Sequence, residues 1–135
     1  MIQKTYKELV ELDQAVGELY KKTPDLVNTK FGYAYKKFSA KNLKEVFNDY
    51  GEELSGIRID NASVDEKTKT LLIAPTVRGF QYSKEGLKAV IKAERELEKK
   101  WESKVFDVES YIVKAEDLPE LTENQLEIMK GIIVE

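Results

Sequence analysis

Few residues in this chain have the types and spacing to do chemistry, and the best group of them lies in Pro75-Thr76-Val77-Arg78-Gly79-Phe80-Gln81-Tyr82. The stretch is expected to join a strand to the start of a helix, where backbone N–H groups and the helix dipole favour anions. There Arg78 could clamp a phosphate or carboxylate while Phe80 or Tyr82 stacks on a ring. The competing expectation is that Arg78 pairs with a surface acid and that Phe80 and Tyr82 fill the core. Neither a GxGxxG nor a Walker pattern accompanies the loop.

A second group is Lys30-Phe31-Gly32-Tyr33-Ala34-Tyr35-Lys36-Lys37-Phe38, followed by Lys41. Aromatics interleaved with lysines are able to stack bases beside phosphates. At helical spacing, however, Phe31, Tyr35 and Phe38 share one face and are expected in the core. That leaves Tyr33, Lys36, Lys37 and Lys41 outside, as a solvated face or a partner-binding one.

Carboxylates are abundant, including Asp60, Asp65, Glu94, Glu96, Glu98, Asp107 and Glu109. An acid–base pair needs environments that separate the two pKa values, and none of these residues lies in an apolar context. Most have a Lys or Arg three or four residues away, as solvated helices do. The sequence has no Cys and no His. Thiol nucleophiles, Ser-His-Asp and Cys-His catalysis, disulfides and Cys/His zinc sites are therefore excluded. No catalytic residue, metal or cofactor is expected, and the protein is expected to be no enzyme.

The elements that must position these groups follow from periodicity. Thr5 and Glu8 have capping-box spacing ahead of Tyr6, Leu9, Leu12, Val16 and Leu19, a helix that Pro24 stops. Phe31 to Leu54 gives a second helix with a break near 39–41. Ile57–Asp60 and Thr68–Ile73 alternate and predict a β-hairpin around Asp65-Glu66-Lys67. Ser83 caps a long helix with Leu87, Val90, Ile91, Leu97 and Trp101 in its stripe. Val105–Val113 predicts a third strand. Thr122 and Gln125 form a second capping box, with Leu121 against Leu126, opening a short last helix. The order predicts one α+β domain over 1–135, with Leu121, Leu126 and Ile133 buried.

The formal net charge of −3 hides a polarity: residues 20–44 hold seven lysines against one acid, and residues 105–135 hold eight acids against two lysines. Such polarity suits an oriented contact with a protein partner or another copy of the chain, the latter with Tyr33 and Tyr111 facing outward. Nucleic acid is not expected, because the domain as a whole is acidic. The first residues lack an apolar signal region and no apolar run approaches a membrane span, so neither secretion nor a membrane partner is expected.

Residues 24–54, centred on Tyr33-Ala34-Tyr35-Lys36-Lys37-Phe38 and Lys41-Asn42-Leu43-Lys44, resemble a helical region of a family of small uncharacterised tailed-bacteriophage proteins. Residues 118–133 (Leu118-Pro119-Glu120-Leu121-Thr122, Gln125-Leu126, Ile132-Ile133) are similar to that family's closing helix. The resemblance implies a phage origin and action in the host bacterial cytoplasm, and carries over no functional residue. Three functions are compatible with these observations. One is a non-enzymatic interaction protein that binds a host or phage protein, for example to counter a defence system. Another is a binder that sequesters an anionic, nucleotide-like small molecule through Arg78 with Tyr82 or Tyr33. The third is an oligomeric head or tail component of the virion.

Overall fold

A computed structural model describes all residues, Met1–Glu135. The chain is α+β, and it divides into two compact units, 1–46 with 102–135, and 47–101. No helix is long and apolar enough to cross a membrane.

The first unit begins with β1 (Ile2–Thr5), which pairs antiparallel with β2 (Val105–Val108) in the register Ile2 opposite Val108. Next comes α1 (Tyr6–Lys22), whose N-terminus carries the expected capping box of Thr5 and Glu8. The Thr5 N–H holds the Glu8 carboxylate below its ordinary pKa. Pro24 ends the helix and opens a 3-10 turn, Pro24–Asn28, before α2 (Lys30–Phe38). The turn and α2 approach so closely that a Cβ on Gly32 would lie 2.7 Å from the Val27 carbonyl carbon. Only glycine fits there.

The expected break near 39–41 is a π-helical turn, Ser39–Leu43, leading into α3 (Lys44–Asn61). Asn42 on this turn uses its amide as a peptide would. Its Nδ2 donates to the Glu109 carbonyl at 3.0 Å, and its Oδ1 accepts from the Glu109 N–H at 2.9 Å. Because Asn42 takes the Glu109 backbone and residues 111 and 113 donate to the carbonyls of Ile132 and Ile133, β2 stops at Val108. The expected strand through Val113 is correspondingly shorter.

After a 3-10 turn at Ala115–Asp117 comes α5 (Glu123–Met129), opened by the Thr122/Gln125 capping box and packed on α1. Ile133 is buried as expected, with Met129 and Ile132. Leu126, by contrast, is exposed and Leu121 only half-buried. The short helix anchors through Met129 and the following turn, so its first turn stays in water. The core of this unit joins Leu9, Leu12 and Val16 of α1 to Phe31, Tyr35 and Phe38 of α2, with Val108 and the C-terminal isoleucines.

In the second unit the expected strand Ile57–Asp60 is helical, because α3 runs to Asn61. Four alternating residues fit either period. The longer stripe of half-buried Leu54, Ile57, Arg58 and Asn61 is spaced by three and four and favours the helix. The Asn61 amide donates back to the Ile57 carbonyl at 2.8 Å, in the last turn. Pairing begins later and is sparse, with single antiparallel bridges Val64–Leu71 and Ile73–Phe80. The Asp65 carboxylate accepts the Thr68 and Lys67 N–H groups in the intervening turn, and these bonds lower its pKa. The long helix α4 (Lys84–Glu102) follows, with its N-terminal turn capped by Ser83. Val90, Leu97 and Trp101 are buried as expected, whereas Leu87 is exposed. The Trp101 indole donates to Glu53, and Tyr50 meets its ring edge-on at 5.5 Å.

Candidate functional site

The Arg78 loop is built from the Ile73–Phe80 bridge and a turn closed by Gly79 N–H to the Thr76 carbonyl, with Gly79 at φ +82°. That left-handed conformation favours glycine. It turns Arg78 toward α4, where its Nη2 and Nε bond Glu94 Oε1 at 2.7 and 3.0 Å. Arg58 of α3 donates its Nε to the other carboxylate oxygen at 2.8 Å. Burial alone would raise the Glu94 pKa, but the hydrogen bonds and charges of Arg78 and Arg58 outweigh it and hold the carboxyl below its ordinary value.

Tyr82 joins the same cluster by donating its hydroxyl to the Arg58 carbonyl at 3.1 Å, and Phe80 is half-buried. Arg78 and Tyr82 thus brace the loop onto α4 and α3. Ser83 Oγ already accepts the Gly86 N–H in the first turn of α4. Two apolar side chains of this loop stay in water, Ile73 at 68% and Val77 at 93% exposed.

In the other unit, α2 presents two faces. Thr29 caps it by accepting the Gly32 N–H, and Phe31, Tyr35 and Phe38 go into the core. The Tyr35 hydroxyl donates to Asp13 at 2.5 Å, and burial first, then this bond, raises its pKa. The opposite positions Lys30, Tyr33, Ala34 and Lys37 recur at three and four residues and form one wall of an open groove of about 410 Å³. The other wall is the extended segment Tyr111–Lys114, with Asp117 at one end. Tyr33 is 57% and Ile112 48% exposed, giving the groove partly apolar walls. Lys30 reaches Asp117 at 3.4 Å. No ion pair joins Lys37 or Lys114 to a carboxylate of the chain.

Of the residues singled out in the sequence, Tyr33 and Lys37 therefore meet in the groove. Lys36 and Lys41 are exposed but outside it. Tyr111, expected to face outward, is half-buried against the groove. Lys114 and Ile112 carry no local sequence signal, because they meet α2 only through the tertiary fold. The i, i+3, i+7 spacing of Lys30, Tyr33 and Lys37 was the one signal of this wall available in the sequence.

No group of three or more carboxylates converges as cation ligands would. The groove offers ammonium groups, phenol rings and an aliphatic surface, which suit the recognition of an acidic and partly apolar surface. Compared with protein-family models, curated proteins and solved structures, the chain has no match.

Proposed function

We propose that this protein acts by binding and catalyses nothing, and that it takes an acidic surface of a protein partner on the groove between α2 and residues 111–114. The observation that carries the reading is a rim of Lys30, Lys37 and Lys114 around exposed Tyr33 and Ile112. Two of those ammonium groups lack an internal counter-ion. Exposed aromatic surface inside a charged rim is the composition of a binding face. With no Cys or His, no side chain has an unperturbed pKa near neutrality. The resemblance of residues 24–54 and 118–133 to phage proteins supports a setting in the cytoplasm of an infected bacterium, with a host or phage protein as the partner and a defence component as one candidate.

The test is capture of a partner from the host. The wild-type protein is expected to retain a partner that elutes with rising salt, and the variant Lys30→Glu/Lys37→Glu/Lys114→Glu is expected to lose it. Loss with Lys36→Glu/Lys41→Glu alone would move the binding face off the groove. Turnover of a substrate by the pure protein would refute the reading.

A second reading is an anionic small molecule in the same groove. It is favoured by a volume of about 410 Å³, which falls in the range of ligand sites, and by the two tyrosine rings. Arg78 is a poorer anchor for it, because its Nε and Nη2 are engaged by Glu94.

A further inference from the structure

We infer that the segment received by this groove is an acidic amphipathic helix, with carboxylates at positions i and i+7 and an apolar side chain at i+3 or i+4. The inference rests on the reading of the groove as a protein-binding face. Lys30 and Lys37 are two helical turns apart on α2, a separation of about 10 Å at 1.5 Å per residue. Tyr33 and Ala34 lie between them on the same wall, and Ile112 faces them from the other.

A second helix laid along α2 repeats the same rise. Its residues i and i+7 therefore fall opposite the two lysines, and i+3 or i+4 falls on the exposed Tyr33 and Ile112. An extended chain crosses about 10 Å in three residues, and residues three apart point to opposite faces of a strand. It would bring only one of its two acids into the groove.

Charge complementarity sets the sign of the occupant. The chain shows the contact in miniature where Asp117 meets Lys30, whose side chain stays 76% exposed and open to a further carboxylate, while Lys37 and Lys114 hold no internal acid. The groove is open rather than enclosed, which suits a helix resting on its rim better than a small ligand needing enclosure.

The experiment uses the full chain and fluorescent synthetic helices of about 18 residues, read by anisotropy. One peptide carries Glu at i and i+7 with Leu at i+3 and i+4. A second has the same composition with the acids moved to i+2 and i+5, a third has Gln for Glu, and a fourth has Ala for Leu. The first is expected to bind about tenfold or more tightly than each of the others. Lys37→Gln/Lys114→Gln should reduce that affinity about tenfold, and Tyr33→Ala should reduce it too, without change in melting temperature. Equal binding of the first two peptides, both weakened by Lys37→Gln/Lys114→Gln, would overturn the helix while leaving the groove as the binding face. Failure of every peptide to bind at millimolar concentration would overturn the inference. If groove charge reversal also left partner capture intact, the reading beneath it would fall as well.

Discussion

Cations meet opposite fates in the two units. In residues 47–101, Arg58 and Arg78 both close on one carboxylate, Glu94, and the loop that carried the strongest sequence signal becomes a brace. In the unit formed by 1–46 and 102–135, Lys37 and Lys114 line a groove whose one acid, Asp117, pairs with Lys30 and with neither of them. Arginine suits the first role because its planar fork matches a carboxylate, whereas an exposed lysine stays hydrated and exchangeable. The contrast teaches that a cation's residue type and local motif say little about its availability. What decides is whether the fold supplies its counter-ion.

The largest effect that would test this contrast concerns the frame of the groove. Gly32→Ala would push a methyl group into the backbone of Leu26 and Val27, so α2 would have to shift away from the preceding turn. We expect a loss of about 3 kcal/mol in urea unfolding. An unchanged midpoint would show that the turn yields easily and that the groove wall is not fixed by this approach.

Next is Glu94→Gln, which leaves Arg58 and Arg78 facing one another without a counter-ion. Both side chains keep some solvent contact, 23% and 33%, so about 2 kcal/mol is expected rather than the larger cost of a fully buried charge. Acid should reach the same contact reversibly. The Glu94 pKa is lowered on folding, so its contribution is present above its ordinary value near 4.5 and is lost as pH falls through the lowered folded-state value. Stability measured from pH 6 downward should fall less steeply in Glu94→Gln than in the wild type. Identical slopes would mean that the two arginines do not act through the Glu94 charge.

The smallest effect is expected in the groove. Lys37→Gln/Lys114→Gln removes charges that no internal acid holds, and stability should change by less than about 0.5 kcal/mol. A large loss would mean that these lysines are structural after all and would erase the difference between the two regions.

Sequence reached the local devices and stopped at the tertiary ones. The capping boxes at Thr5 and Thr122, the stop at Pro24 and the buried face of Phe31, Tyr35 and Phe38 depend on neighbours within one or two turns, and all were legible. β1 was not, because Ile2-Gln3-Lys4-Thr5 is short and largely polar and becomes a strand only by pairing with Val105–Val108. Pairing starts at Val64, later than the alternation of Ile57–Asp60 predicts, because four alternating residues cannot outweigh a stripe that continues α3. Leu126 fits a hydrophobic staple by spacing, yet α5 turns it to solvent. At the candidate sites, half of the groove wall was visible as the Lys30, Tyr33, Lys37 spacing. The opposing wall and the Glu94 partner of Arg78 lie far along the chain, where no local pattern reports them.

The most direct measurement places a photo-crosslinking amino acid at Tyr33 in one protein and at Val77 in another, each expressed in bacterial cells. Both positions are exposed, Tyr33 beside the unpaired lysines and Val77 beside the paired arginine. The account predicts a crosslink from position 33 to one acidic protein, abolished by Lys37→Glu/Lys114→Glu, whereas any crosslink made from position 77 to another protein survives that change. A partner crosslinked from position 77 and not from position 33 would contradict it.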